Sequence, residues 1–199
     1  MHLVNQSPLD GSVGVEKKEV FERYLTSRRR AARMSAVQVM YLHDFNTKMK
    51  EMGVEDEDLF EKQSSVDTKI SNLCHAVLYF YKNVFPAKEE YSLQHKNKRM
   101  DEKSLHDIVS HSIKNLDKID KIISMYLNER WTVEKLDVVV RAILRCAVAE
   151  LLFNTKTDIP ILTSEYTNLA SNFFSGKEIG FVNGVVDKIG KAVRSRINN

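Results

Sequence analysis

The sequence predicts an all-α fold, and three observations lead to this prediction. No stretch of the chain shows the sustained period-two alternation of apolar and polar residues that marks a half-buried strand. Apolar residues instead recur every three or four positions through several long segments, as they do on one face of a helix. With 199 residues and a hydrophobic content of 43%, the chain can also bury a real core.

Three regions are expected along the chain: an N-terminal extension over residues 1–27, a helical bundle over 28–130 and a second helical bundle over 131–199. The segment Met1–Gly14 mixes polar residues, proline and glycine with isolated apolar residues, so we expect it to be a flexible leader. Glu16–Leu25 has apolar residues at helical spacing, which permits a short helix. The sequence leaves open whether that helix lies against the domain or forms only with a partner.

The first core helix is predicted from Arg28 to Phe45, with Ser27 at the N-cap position. Its first turns carry a cluster of basic residues, namely Arg28, Arg29, Arg30 and Arg33. Positive charge at a helix N-terminus opposes the helix macrodipole, so helix stability does not explain the cluster. Two interpretations follow: the arginines contact the phosphates of a nucleic acid, or they form an ordinary solvated face.

Two further helices are predicted in the first bundle. Val66–Phe85 carries apolar residues at helical spacing and ends before Pro86. Leu105–Leu127 has the clearest amphipathic pattern of the chain, so one of its faces must be buried. The acidic stretch that contains Gly53 and ends near Ser65 is expected to be a loop or a short helix. The connection Ala87–Lys103 is long, polar and partly basic, which is typical of a mobile or functional segment.

Three helices are predicted in the second bundle, after a break at Trp131. The segment Val133–Leu151 is apolar enough to be a central helix. Its charged residues are expected to form a solvated side; they are Arg141, Arg145 and Glu150. A helix that includes Tyr166–Phe174 and a last helix that includes Phe181–Val193 follow, because both segments repeat apolar residues at helical spacing.

The overall charge is nearly balanced, with 30 basic against 27 acidic residues and a net charge of +3. Any affinity for nucleic acid must therefore come from local clustering of basic residues. Cys74 and Cys146 each lie within an apolar helical segment, which is typical of buried thiols in a reducing compartment. No apolar run reaches the roughly 18 residues of a membrane span, and the N-terminus lacks the pattern of a signal peptide. We therefore expect a cytoplasmic protein without a membrane partner.

No catalytic or cofactor-binding pattern is found, so the sequence predicts a protein that is not an enzyme and has no cofactor. The common phosphate-binding loops, the nucleophile elbow and paired zinc-binding cysteines are missing from the sequence. His106 and His111 turn away from each other on a helix, and no carboxylate or thiol completes a metal site with them. Gly180 and Gly184 form a G-x-x-x-G pattern, which we interpret as close packing between helices.

The first helix also offers side chains that could recognise a nucleic acid. Arg30, Arg33, Val37 and Tyr41 follow each other at steps of three or four residues, so they can line one stripe. Gln38 adds an amide that can bond a base edge, and Tyr41 adds a ring that can stack on a base. For Tyr41, packing in the core is the alternative.

Two groups of motifs resemble a known family. The stretch Arg29–Arg33 is followed at helical spacing by Ala36, Gln38 and Tyr41. In the C-terminal half, an R-A-I-L-R sequence at Arg141–Arg145 precedes the string F-V-N-G-V-V-D-K-I at Phe181–Ile189. Further matching residues lie between these two strings, at Glu150–Leu152, Asp158–Pro160, Glu165 and Leu169–Ala170. These motifs resemble those of the bacterial transcription antitermination proteins of the NusB family, and the resemblance covers most of the chain.

The resemblance implies an all-α fold in which two small helical bundles pack into one compact domain. It also implies an RNA-binding transcription antitermination factor that binds boxA-type single-stranded RNA together with the ribosomal protein NusE. The transcription antitermination complex with RNA polymerase is then a further partner. No chemistry is implied. Because some relatives form dimers that hide the RNA surface, the choice between a monomer and a homodimer stays open.

The resemblance also suggests which residues lie at the RNA surface. In the family, the arginine-rich helix and three aromatic residues belong to or border that surface, and their positions here are Tyr41, Tyr126 and Phe181. Lys177, which precedes the F-V-N-G string, would favour a phosphate through its charge. The predicted RNA-binding residues are therefore Arg29, Arg30, Arg33, Gln38, Tyr41, Tyr126, Lys177 and Phe181. The alternative is a helical protein-interaction module of the NusB-like type that makes no direct contact with RNA.

Overall fold

The computed structural model describes residues 11–53, 64–83 and 100–195, with side chains from Leu25 onward. Every regular element within these ranges is helical, which confirms the all-α prediction. The described α-helices are α1 (Gly11–Glu51), α2 (Val66–Asn83), α3 (Glu102–Lys114), α4 (Leu116–Ser124), α5 (Val138–Phe153), α6 (Ile159–Ala170) and α7 (Lys177–Ser195).

Helix α5 lies at the centre of the fold, where it packs against α1, α3, α4, α6 and α7. Eleven of its 16 residues are buried, as expected for a helix that other helices surround. The carboxylate of Asp137 caps this helix by accepting hydrogen bonds from the backbone N–H groups of Val139 (2.8 Å) and Val140 (3.3 Å). The helix therefore begins at Val138, and the predicted start at Val133 is wrong because that residue lies in a separate 3-10 turn.

Helix α1 is longer than predicted. Ser27 is an interior residue of this helix and not its N-cap, so the predicted helix start is wrong. The physical reason is that no proline interrupts the segment and that a serine costs a helix interior little. The arginines therefore lie in the middle of a helix, where the macrodipole argument does not apply. Glu16–Leu25 belongs to the same helix; the predicted leader is wrong for residues 11–14, and residues 1–10 lie outside the described ranges.

The C-terminal end of α1 is set by Gly53. Its φ of 70° lies in the left-handed region, which glycine adopts without steric cost, and its N–H donates to the carbonyl of Lys50 (3.0 Å). The predicted acidic connection after this end falls mostly on residues 54–63, which lie outside the described ranges. Its assignment as a loop or short helix stays a prediction.

The predicted helix Leu105–Leu127 consists of two helices, α3 and α4, that meet at Asn115. Asn115 leaves helical geometry (φ −121°, ψ 25°), and its side-chain amide donates to the carbonyl of His111 (3.0 Å). Asparagine competes in this way with the hydrogen bonds of a continuous helix. Before α3, the Asp101 side chain caps the helix, and most of the predicted connection Ala87–Lys103 lies outside the described ranges.

Close packing of α7 depends on Gly190. A Cβ atom at this position would lie 2.6 Å from Cγ2 of Ile159 and 3.2 Å from Cδ2 of Leu151. Gly180 and Gly184 are exposed, and a Cβ atom there would meet no atom of the described residues within 4 Å. The prediction that these two glycines serve helix packing is therefore wrong, because their spacing alone does not show which face of the helix is buried.

The buried side chains form one continuous core that includes residues of both predicted bundles. The exact division of the chain at residue 130 stays a prediction. The thiols of Cys74 and Cys146 are buried and form no disulfide, as predicted. Burial raises the pKa of Cys74 to about 11 and also raises the pKa of Cys146. No helix in the described ranges is both long and apolar enough to cross a membrane.

Candidate nucleic-acid interface

Helix α1 presents three of the predicted RNA-binding residues on one exposed stripe. The side chain of Arg30 is 58% exposed, Gln38 is exposed, and Tyr41 is 40% exposed. Met34 lies between Arg30 and Gln38, so these side chains recur every three or four positions on the same side of the helix. Tyr41 is therefore not a core residue, and its ring can be reached by a ligand.

Arg33 is a buried residue that joins α1 to α5. It is 4% exposed, and its Nε and Nη2 atoms donate to the two carboxylate oxygens of Glu150 at 2.6 and 3.2 Å. The Tyr166 hydroxyl donates to the same carboxylate at 2.8 Å. Burial by itself would lower the pKa of Arg33, but the ion pair with Glu150 outweighs this effect and raises it. The structure thus gives Arg33 a structural role in place of the predicted phosphate contact.

Arg30 is anchored at one edge by Glu165 of α6. Its Nε atom lies 2.9 Å from both carboxylate oxygens, and its Nη2 atom donates to Oε1 at 2.7 Å. Glu165 is buried and also accepts a long hydrogen bond from Nη1 of Arg33 (3.4 Å). The hydrogen bond with Glu165 raises the pKa of Arg30. Since a guanidinium has five N–H donors, the outward donors of Arg30 can still bind a phosphate.

An apolar groove of about 500 Å³ adjoins this stripe between α1, α2 and the segment after α6. It is lined by Val37, Gln38, Tyr41, Leu42, Ala76, Val77, Phe80, Val139 and Phe173. Phe80 and Phe173 are 48% and 43% exposed, so each ring has surface available for contact. Exposed rings beside an amide can stack on an unpaired base, and the same surface can bury an apolar side chain of a protein.

Arg29 lies on a different side of α1 from Arg30. It lines a second cleft of about 500 Å³ between α1, α3 and the loop that joins α5 to α6. Lys103, His111 and Lys156 line the same cleft. The predicted basic residues therefore divide among two surfaces and the core, because consecutive positions on a helix face different directions.

A second buried ion-pair network joins α1, α4 and α5. Arg145 donates through Nη1 to Asp44 (2.6 Å) and through Nη2 to Asp120 (2.7 Å). Arg141 donates through Nε to Asp44 (2.8 Å). The predicted solvated side of α5 is wrong, since Arg145 and Glu150 are 7% and 6% exposed. Partners of opposite charge on neighbouring helices offset the free-energy cost of burying these charges.

The charge state of Asp44 follows from this network. Burial alone would raise its pKa, but His43 and the two arginines outweigh burial and lower the pKa to about 2. The carboxylate is therefore ionised at neutral pH and holds α1 against α5 through ion pairs with Arg141 and Arg145.

The other three predicted RNA-binding residues lie elsewhere. Tyr126 follows the end of α4, and Phe181 lies in the second turn of α7; both are partly buried against the core. Lys177 is exposed as the first residue of α7. Within the described residues, no side-chain hydrogen bond or ring contact joins these three to one another or to Arg30. Their role in RNA binding stays a prediction.

Sequence reasoning missed four residues that shape these surfaces: Phe80, Phe173, Lys156 and Glu165. An exposed ring on a helix has the same spacing pattern as a core ring, so the pattern could not separate Phe80 from its buried neighbours. Lys156 is a single lysine in a polar loop, and no sequence pattern distinguishes it from other lysines. Glu165 belongs to the family-like motifs, but only the packing of α6 against α1 shows that it binds Arg30.

Metal-ligand clusters are not found among the described residues, where no group of three or more His, Cys, Asp or Glu side chains could hold an ion. His111 instead stacks on Phe153, with ring centroids 4.5 Å apart and an interplanar angle of 10°.

The fold and the surface of α1 define a class of protein: a small all-α protein that displays basic, amide and aromatic side chains along one long helix. The sequence model of the NusB family matches residues 30–191, which include all of α2 to α7 except the last turn of α7. The chain therefore belongs to the NusB family, as its motifs predicted.

Curated relatives agree with this assignment along most of their length. The transcription antitermination protein NusB of Sphingopyxis alaskensis is 31% identical over 168 residues, which are 84% of this chain and 95% of the relative. The protein of the same name from Rickettsia massiliae is 29% identical over 170 residues, with 83% and 92% of the two chains covered.

Solved structures share the fold. NusB of T. maritima is similar with a TM-score of 0.55 and 23% identity, over 86% of this chain and 97% of the other. A structure of the antitermination factors NusB and NusE in complex with dsRNA contains a chain that is similar with a TM-score of 0.53 and 24% identity. That likeness covers 83% of this chain and 97% of the other.

Proposed function

We propose that this protein is an RNA-binding transcription antitermination factor that binds boxA-type single-stranded RNA together with ribosomal protein NusE. It acts by binding and catalyses no reaction, in the cytoplasm, as part of the antitermination complex with RNA polymerase. The observation that carries the proposal is the α1 stripe, where Arg30, Gln38 and Tyr41 are exposed together on a chain of the NusB family. The names of the curated relatives and the solved complex of NusB, NusE and dsRNA support it.

Each residue of the stripe has its own role in this proposal. Arg30 contacts a phosphate through its outward N–H donors, while Glu165 fixes the orientation of its guanidinium. Gln38 bonds the edge of a base, and Tyr41 stacks on its face. Unpaired bases are the targets because an A-form duplex hides base edges in a narrow groove. Arg29, Tyr126, Lys177 and Phe181 are proposed as further contacts, whereas Arg33 supports the helix from within the core.

A titration with boxA-like single-stranded RNA tests the proposal, with and without NusE and at two salt concentrations. Arg30→Ala should reduce the salt dependence of the RNA-binding constant by the amount that about one phosphate contact contributes. Tyr41→Ala should weaken binding by about 1–3 kcal/mol. Tyr79→Ala is the matched control, because Tyr79 is a 70% exposed tyrosine on α2 that does not line the groove. If Arg30→Ala and Tyr41→Ala bind RNA like the control, the stripe is not the RNA surface.

A second candidate function is a helical protein-interaction module without direct RNA contact. The groove beside Tyr41 favours it, because its lining includes one polar side chain, Gln38, apart from the Tyr41 hydroxyl, and no charged one. Such a groove suits the apolar side chains of a protein partner. Binding of NusE without any binding of RNA, alone or in the ternary mixture, would select this function over the first.

A further inference from the structure

We propose that the cleft between α1, α3 and the α5–α6 loop binds phosphates of the same RNA strand, with Arg29 and Lys156 as its phosphate-binding residues. The cleft has a volume of about 500 Å³ and lies on a different side of α1 from the stripe. This inference rests on the proposed function and extends the path of the RNA from α1 onto the loop after α5.

The charges of the cleft single out these two residues. Within the described part of the chain, neither Arg29 nor Lys156 forms an ion pair, although both line the cleft. Arg33 is neutralised by Glu150 at 2.6 Å. Lys103 is neutralised by the carboxylate of Asp107, which lies 2.5 Å from its ammonium and also lines the cleft. A cation that no carboxylate neutralises has its whole charge available for an RNA phosphate, and its binding releases counterions.

One further carboxylate, that of Asp101, lines the cleft. It accepts a hydrogen bond from the backbone N–H of Ser104 (3.0 Å) and caps α3. Burial alone would raise the pKa of Asp101, but this hydrogen bond and the nearby charges of Arg28 and Arg29 lower it. One carboxylate against the free cations Arg29 and Lys156 leaves the cleft positive.

The loop that carries Lys156 is held in place from two sides. The side-chain amide of Asn154 donates to Oε1 of Glu150 (3.1 Å) and to the hydroxyl of Thr157 (3.2 Å). Arg194 of α7 donates to the backbone carbonyls of Asn154 (3.1 Å) and Thr157. Lys156 itself is exposed, so a fixed backbone presents a free ammonium group to the cleft.

The same network fixes the opposite side of the cleft. Glu150, which holds Asn154, also holds Arg33, and Arg33 lies one turn after Arg29 on α1. The backbone positions of Arg29 and Lys156 are therefore set before any RNA arrives. Preorganisation of this kind reduces the entropy lost on binding.

The aromatic residues of the cleft favour backbone phosphates over bases. Phe153 stacks on His111 at 4.5 Å, and the ammonium of Lys118 lies 5.8 Å from the centroid of the same ring. The Phe153 ring, which is 37% exposed, already contacts these two groups, so less of its surface is left for a base. Contacts to phosphate carry no sequence information, so the cleft should add affinity without changing the preferred RNA sequence.

The test is a titration of the full chain with boxA-like single-stranded RNA over a range of salt concentrations. Lys156→Ala and Arg29→Ala should each reduce the slope of log K against log salt by about 0.7, and the double variant by about 1.4. Lys156→Arg should restore the wild-type slope. Lys48→Ala is the matched control, since Lys48 is exposed in the last turn of the same helix, roughly 28 Å from Arg29 at 1.5 Å per residue.

Asn154→Ala tests the role of the network as a positioning device. It keeps both cations, so we expect weaker RNA binding with an unchanged salt slope, while circular dichroism reports that the helices remain folded. A slope that fell as far as in Lys156→Ala would count against positioning.

The outcomes separate this inference from the proposed function. If Arg30→Ala weakens RNA binding but Lys156→Ala behaves like Lys48→Ala, the cleft is not a phosphate site and the function stands. If the wild-type protein binds no RNA, both fail. If a mononucleotide such as AMP displaces the RNA at micromolar concentration, the cleft is a small-ligand site and the inference is overturned.

Discussion

Replacing Arg33 by alanine should destabilise the protein strongly, although the residue belongs to a cluster that looks like a charged surface in the sequence. The substitution removes the cation that lies 2.6 Å from Glu150, whose side chain is only 6% exposed. A buried carboxylate left without its partner costs about 3–5 kcal/mol. Arg29→Ala, four residues earlier on the same helix, should change the free energy of unfolding by less than about 0.5 kcal/mol because Arg29 is exposed.

Neutralising Glu150 should restore part of the stability that Arg33→Ala loses. In the double variant Arg33→Ala/Glu150→Gln, the amide oxygen can still accept the hydrogen bond that the Tyr166 hydroxyl now donates at 2.8 Å. We expect a coupling energy of about 1–3 kcal/mol between the two positions. Urea unfolding of the wild type, both single variants and the double variant, followed by circular dichroism, gives this value.

Two results would refute this reasoning. One is a cost for Arg33→Ala below about 1 kcal/mol, which is the range of an exposed ion pair. The other is a double variant whose loss equals the sum of the two single losses. Either result would indicate that the ion pair with Glu150 does not hold Arg33 in the core. The predicted phosphate contact of Arg33 would then be favoured again.

Three further predictions concern the core. The pKa of Asp44 is lowered from 3.8 to about 2, so its contribution to stability is present above about pH 4 and is lost as the pH falls through 2. Asp44→Asn should therefore be less stable at pH 7, and its unfolding free energy should depend less on pH between 4 and 2. Gly190→Ala should cost about 1–3 kcal/mol through overpacking, whereas Gly184→Ala, which meets no described atom, should be neutral or stabilising in thermal unfolding. The buried thiols of Cys74 and Cys146 should react with a thiol reagent only on unfolding, because burial raises their pKa; rapid labelling of the native protein would contradict this.

Most of the helices could be predicted because their apolar spacing is a local property of the sequence. Helix ends were harder, since they depend on competition between neighbouring hydrogen bonds. Ser27 has the composition of an N-cap and yet lies within α1, because the chain before it can also be helical. Asn115 interrupts a helical pattern that continues on both sides of it, and only its hydrogen bond to His111 reveals the break.

The candidate site was also predictable only where its geometry is local to one helix. Arg30 and Tyr41 could be placed on one stripe because helical geometry fixes the direction of each side chain relative to the next. Arg33 and Val37, which were predicted on the same stripe, are buried, and Gln38 is exposed in their place. The burial of Arg33 could not be predicted, because its partner Glu150 is 117 residues away along the chain.

The sequence by itself therefore determined the helical class, the family and the spacing of the side chains along α1. Tertiary structure alone decided which arginines remain available to a ligand. Arg33 is buried and paired with Glu150 of α5. Arg30 stays 58% exposed although it binds Glu165 of α6, and Arg29 faces a cleft beside Lys156. The reason is physical: a cationic side chain has the same chemistry in the sequence wherever it lies, and only the helices packed around it determine whether its charge is neutralised or exposed.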